Sequence, residues 1–161
     1  MAYSLTTQNI GAQPIADTST VQNHPIGTIV RAIDPAYGEG EFIYLKGLAS
    51  TAVGETVIYD TYANTTKRGV ASDRGPAAVA MSANVASQYG WYQIKGAAVV
   101  KVAAAFAAAG ACFLTATAGT VDDAVVATDK IDGMRGKTAI DTPTAGFAVV
   151  QMDHPSANGN G

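Results

Sequence analysis

The chain has 161 residues, long enough for one domain with a real core, and only 14% of them are charged, against about 25% in an ordinary soluble protein. A formal charge of −3 with scattered basic residues excludes a phosphate-neutralising surface, so no direct nucleic-acid partner is expected. Cys112 is the single cysteine, which excludes an internal disulfide and a cysteine-based zinc site. Its neighbours Ala111 and Phe113 are apolar, so a buried, inert thiol is expected.

Residues 1–27 are rich in Thr, Gln, Asn and Ser, with isolated apolar residues at Leu5, Ile10, Ile15 and Val21 and prolines at 14 and 25. Their spacing fits neither a helix nor a strand, which predicts an extended N-terminal arm able to lie on a neighbouring subunit. The opening residues lack the basic and apolar regions of a signal peptide, and no run of apolar residues approaches membrane-spanning length. Folding in a cytoplasm with no membrane partner is the expectation.

From Thr28 the pattern turns to strands. Thr28–Ile33 is β-branched and stops at Asp34-Pro35, and Glu41–Lys46 is a strand ended by Gly47. Thr56–Tyr59 leads to a polar hairpin tip over 64–69, and 77–83 and 90–102 are two further strand regions. Gly96, in the middle of the second, predicts a bulge or a close backbone approach. Ala103–Ala109 is the one stretch where helix competes, and a connector of one or two turns is expected there. Strand returns over 111–117 and at Thr120-Val121; 129–143 reads as loop, 146–152 as the final strand, and 153–161 as a flexible C-terminal tail. Many short strands with turn signals predict an all-β domain over 28–152, a small jelly-roll-like β-sandwich or a β-barrel with at most one short helix.

The cluster Tyr89-Gly90-Trp91-Tyr92 holds the only tryptophan. Strand alternation places Tyr92 and Ile94 on one face and Tyr89, Trp91 and Gln93 on the other. Ile94 is apolar while Gln93 and Lys95 are polar, so Tyr92 and Ile94 are assigned to the core. Tyr89, Trp91 and Gln93 become candidate interface residues, together with Leu5, Ile10, Ile15 and Val21.

No pattern of catalytic or ligand-binding chemistry stands out. His24 and His154 each precede a proline near a chain end, a poor setting for the fixed ring that catalysis needs. Asp122-Asp123 and Asp129…Asp132-Gly133 lack the alternating ligand series of a calcium loop and read as turn residues. The glycines of Tyr37-Gly38-Glu39-Gly40 precede neither Lys-Ser/Thr nor a helix, so they form no phosphate cradle. No enzyme activity, metal or cofactor is expected.

Three segments carry a resemblance: His24-Pro25-Ile26-Gly27-Thr28, Gly38–Gly47 (GEGEFIYLKG) and Gly90–Gly96 (GWYQIKG). Together they resemble tailed-phage virion proteins of the head decoration, or cement, kind, over about residues 20–152. That resemblance implies a jelly-roll or small-barrel subunit on the capsid exterior, made in the host cytoplasm. Its implied partner is the major capsid protein, with a dimer or trimer of the chain itself on the shell. A head-fibre or tail-associated adhesin is the alternative within the same world. A small hydrolase with a divergent site is the remote one.

Overall fold

The computed structural model describes residues 4–5, 11–48, 50–83 and 87–158. Among them there is no helix. The strands, in chain order, are β1 (Ser4–Leu5), β2 (Thr18–Ser19), β3 (Ile29–Asp34), β4 (Gly38–Lys46), β5 (Thr56–Asp60) and β6 (Thr65–Arg68). They continue as β7 (Gly75–Ala80), β8 (Tyr89–Lys101), β9 (Ala111–Leu114), β10 (Val121–Asp122), β11 (Lys130–Gly136) and β12 (Phe147–Ala157). The expected all-β class is what the chain adopts.

One antiparallel sheet runs β1-β3-β4-β8-β7-β12-β11-β9-β10, with the β5–β6 hairpin attached to β7 and β2 attached to β8. It is not closed into a barrel, and its curled layers enclose three apolar clusters. The two longest strands change partners along their length. β8 pairs with β4 and β7 through its first half and with β12 from Lys95 to Lys101. β12 pairs on one edge with β8 up to Asp153 and then with β7 at Ser156 and Ala157, while β11 pairs with it from Val150 to Ala157.

Bulges mark the bends. The β4–β8 register slips between Glu41 and Phe42, leaving Ile94 as the extra residue, and Gly96 follows at φ +97°. A Cβ on Gly96 would stand 2.5 Å from the Glu39 carbonyl oxygen and 3.1 Å from the Gly40 Cα. The bend in β8 therefore requires glycine both for its dihedral and for the approach of β4. The expected close approach at Gly96 is thus present.

The β3–β4 hairpin follows directly from its sequence. In β3, Val30, Ala32 and Asp34 are buried while Ile29, Arg31 and Ile33 face out. Asp34 makes the turn by accepting the Ala36 and Tyr37 amides on Oδ1 at 2.7 and 3.1 Å.

Several expectations are corrected. Ala103–Ala109 forms no helical turn. Ala105 and Ala109 sit at φ +69° and +66°, and Phe106 between them is buried in the largest apolar cluster. The backbone there bonds across to other segments, Ala109 N–H to Gly136 O and Ile140 N–H to Phe106 O, in place of an i→i−4 ladder. Burial of Phe106 outweighs the helix propensity of its alanines.

The loop expected over 129–143 contains β11. Its inward residues, Ile131 and Met134, are three apart because a bulge at Gly133, φ +75°, interrupts the alternation. The final strand does not stop at Met152. It bends at His154, φ +46°, buries Pro155 and Ala157, and ends with Asn158 Nδ2 donating to Asp132 Oδ2 at 2.6 Å. Residues 153–157 are therefore part of the sheet rather than a flexible tail, and 159–161 lie outside the described residues.

Candidate functional site

The N-terminal segment does not stand away from the domain. Over 11–27 it lies across the Trp91 face of β4 and β8 and completes an apolar cluster of Ile15, Val30, Ala32, Phe42, Tyr44, Met81 and Trp91. Gln13 is the fastener. Its carbonyl accepts the Trp91 Nε1–H at 2.8 Å, and its side-chain amide donates to Asp17 O at 2.7 Å. Its Oε1 accepts from Asn23 Nδ2 and from the Tyr44 hydroxyl, at 3.0 and 3.3 Å. His24 closes the cluster edge-on to Tyr44, with centroids 5.0 Å apart, and tilted 5.3 Å from Trp91. Its Nε2 accepts the Gln13 amide at 3.3 Å, so the ring serves the packing of this segment. Burial raises the Tyr44 hydroxyl above the ordinary tyrosine range, against the lowering effect of the Asn23 amide.

This geometry overturns part of the interface expectation. Trp91 and Gln93 are both 0% exposed, and Tyr89 is half-buried. The first half of β8 is covered on both faces: Tyr92 and Ile94 lie in one core, as expected, and Trp91 lies in another. Gln93 is tolerated inside because its amide donates to the Lys95 and Ala97 carbonyls, both at 3.0 Å, which the bend in β8 leaves facing it. Ile15 is buried against its own domain rather than free for a neighbour. Val21 remains 66% exposed. The Leu5 backbone pairs with Ala32 on the edge of β3, while the Leu5 side chain and all of Ile10 lie outside the described residues.

Two other polar groupings have more structure than the sequence suggested. The first is Glu55, buried to 1% exposure. Its Oε1 meets Arg68 Nη2 at 2.6 Å and Lys101 Nζ at 3.0 Å, and its Oε2 accepts the Ala52 amide at 3.0 Å. Burial by itself would raise this carboxyl. The Ala52 amide, Lys101 and Arg68 together outweigh burial and hold it below the usual glutamate range. The second is a cleft of about 230 Å³ along the bends of β4, β8 and β12, lined by Arg31, Glu39, Glu41, Lys95 and Gln151. Its charges are paired with each other and with the start of the C-terminal segment. Arg31 meets Glu41 at 3.1 Å, Lys95 meets Asp153 at 3.8 Å, and His154 Nε2 lies 3.3 Å from Glu41. Such a cleft is self-neutralised, with no nucleophile paired to a base.

Of the carboxylates read as turn residues, Asp122 and Asp132 lie in β10 and β11; Asp122 Oδ1 accepts Asp123 N–H at 2.8 Å, and Asp129 Oδ1 accepts the sequence-distant Ser72 N–H at 2.6 Å. A hydrogen bond from Lys130, then one from Asn158, holds Asp132 below the usual aspartate range. Among the described residues no three His, Cys, Asp or Glu side chains are grouped so as to hold a metal ion. Cys112 is buried as expected, and burial, reinforced by the charge of Asp123, pushes its thiol up to about 12.

What the surface does offer is apolar. Tyr62 is fully exposed at the β5–β6 tip, Val125 and Val126 project from the loop after β10, and Ile29 and Ile33 flank Arg31 on the outer face of β3. The outward alternation of β3 was readable in the sequence; Tyr62 and the valines carried no comparable signal. No protein-family model and no curated protein matches the chain.

Proposed function

We propose that the chain is a tailed-phage virion structural protein that binds the outside of the capsid shell and stabilises contacts between major capsid protein subunits. The observation that carries this reading is spatial. The three segments with decoration-protein character, 24–28, 38–47 and 90–96, are far apart in sequence yet lie together in the fold. β4 pairs with β8, placing Tyr44 beside Trp91, and the Gly27 amide donates to the Tyr44 carbonyl at 2.9 Å. They meet in one part of the sheet, as the parts of a single shared domain would.

The surface supports the same role. A chain with 14% charged residues that exposes Tyr62, Val125, Val21, Ile29 and Ile33 suits a life docked on a lattice, where those side chains become covered. A ligand that binds only the expanded lattice adds its binding free energy to that state and needs no chemistry of its own.

The test is co-sedimentation of the purified chain with empty shells of the phage that encodes it. The chain should pellet with expanded shells at a fixed ratio to capsid protein and raise their melting temperature, and should stay in the supernatant with unexpanded shells. Absence of binding to both shell forms would sink the proposal.

A further inference from the structure

We propose that Asn158 is a site of spontaneous deamidation, and that loss of its side-chain amide loosens the end of β12 from β11. Gly159 follows Asn158 in the sequence. A glycine has no Cβ to shield its own nitrogen, so that nitrogen can attack Cγ of the preceding asparagine. The chemistry needs water alone. The Gly159 nitrogen bonds to Asn158 Cγ and gives up its proton, and the Cγ–Nδ2 bond breaks to release ammonia. Water then opens the resulting cyclic imide at one of its two carbonyls and returns a proton to the nitrogen. The product at 158 is aspartate or, from the other carbonyl, its β-linked isomer.

The place of that amide in the fold gives the reaction its consequence. Asn158 clasps the β11–β12 join: its Nδ2 donates to Asp132 Oδ2 at 2.6 Å, and its Oδ1 accepts from Ser156 Oγ at 3.0 Å. Its backbone amide donates to Lys130 O at 3.3 Å, beside the pairs Asp132–Ser156 and Ile131–Ala157. The residue is exposed, so water reaches it and ammonia leaves. Deamidation replaces the donor that faces Asp132 with a carboxylate, setting two like charges at hydrogen-bond distance. Lys130, whose Nζ lies 2.8 Å from Asp132 Oδ1, is then shared between them. The same clasp governs the rate. Ring closure is easiest for a freely turning side chain, so the bonds to Asp132 and Ser156 slow the reaction while they hold. This inference stands apart from the capsid reading, since it concerns the isolated chain.

The experiment is incubation of the purified full chain at mildly alkaline pH, followed by peptide mapping with fragmentation that separates Asn158 from Asn160. The amide should be lost at 158, with aspartate and isoaspartate forms both present. Gly159→Val should stop the loss over the same interval. Asp132→Ala should speed it about two- to tenfold, the worth of one exposed hydrogen bond. The deamidated fraction, separated by its added negative charge, should exchange the backbone amides of 156–158 faster than the intact fraction, a comparison that needs no variant. An Asn158 amide that persists in the folded chain while the urea-unfolded chain loses it would overturn the proposal. So would a rate that Asp132→Ala leaves unchanged or lowers, or equal exchange in the two fractions.

Discussion

Trp91→Ala should lower the unfolding free energy by about 3–5 kcal/mol, the loss expected for a fully buried tryptophan whose site cannot collapse around the cavity. The indole is 0% exposed, packs against Tyr44 with centroids 5.0 Å apart, and donates to the Gln13 carbonyl. Removing it leaves that carbonyl without its donor and opens a hole between the N-terminal segment and the β4–β8 pair. Ile15 and Gln13 should therefore lose hydrogen-exchange protection in the variant even where the rest of the sheet keeps it. Urea melts with exchange measured by mass spectrometry read both effects. A variant as stable as the unsubstituted chain would show that the N-terminal segment does not cover this face in solution.

The second large effect concerns Glu55. Glu55→Gln should cost about 3 kcal/mol at neutral pH, the lower end for breaking a buried ion pair, because Arg68 and Lys101 keep part of their side chains in water. The substitution also changes the acid response. Because the folded-state pKa of Glu55 is depressed, its contribution is fully present above the unfolded value of about 4.3 and is lost as pH falls through the lower folded value. The stability difference between the two proteins should thus be constant from neutral pH down to about 5 and shrink steadily below about 4.3. Thermal melts of both proteins across this range test it. A difference that stays constant through acid pH would mean the carboxylate is not held by Arg68 and Lys101.

Much of the strand pattern was legible before any coordinates, and the reasons for the misses are specific. β3, β4 and β5 announce themselves because each is an apolar or alternating run ending at Pro, Gly or Asp, and β8 because its β-branched and aromatic run is long. β11 is hidden because Gly133 shifts its inward residues out of period two, so Ile131 and Met134 fall out of step. The alanines at 103–109 carry helix propensity, but the burial of Phe106 decides that segment.

The error at Trp91 has a topological cause. Alternation correctly separated Tyr92 and Ile94 from Trp91 and Gln93, but one residue string cannot say that a further layer covers the Trp91 face as well. That layer is the segment 11–27, whose Gln, Asn and His side chains look like solvent-loving residues until Gln13, Asn23 and His24 are seen bonding to one another and to Tyr44.

The proposed capsid role is tested most directly by a cryo-electron microscopy reconstruction of particles of the phage proposed to carry this chain. The account predicts β-rich density of this shape on the outer surface of the head, repeated regularly over the shell and bridging neighbouring capsid subunits, with side chains such as Tyr62, Val125 or Ile29 covered in the contact. A head surface bare of such density, with the chain found in the tail, in a fibre or not in the particle, would contradict it.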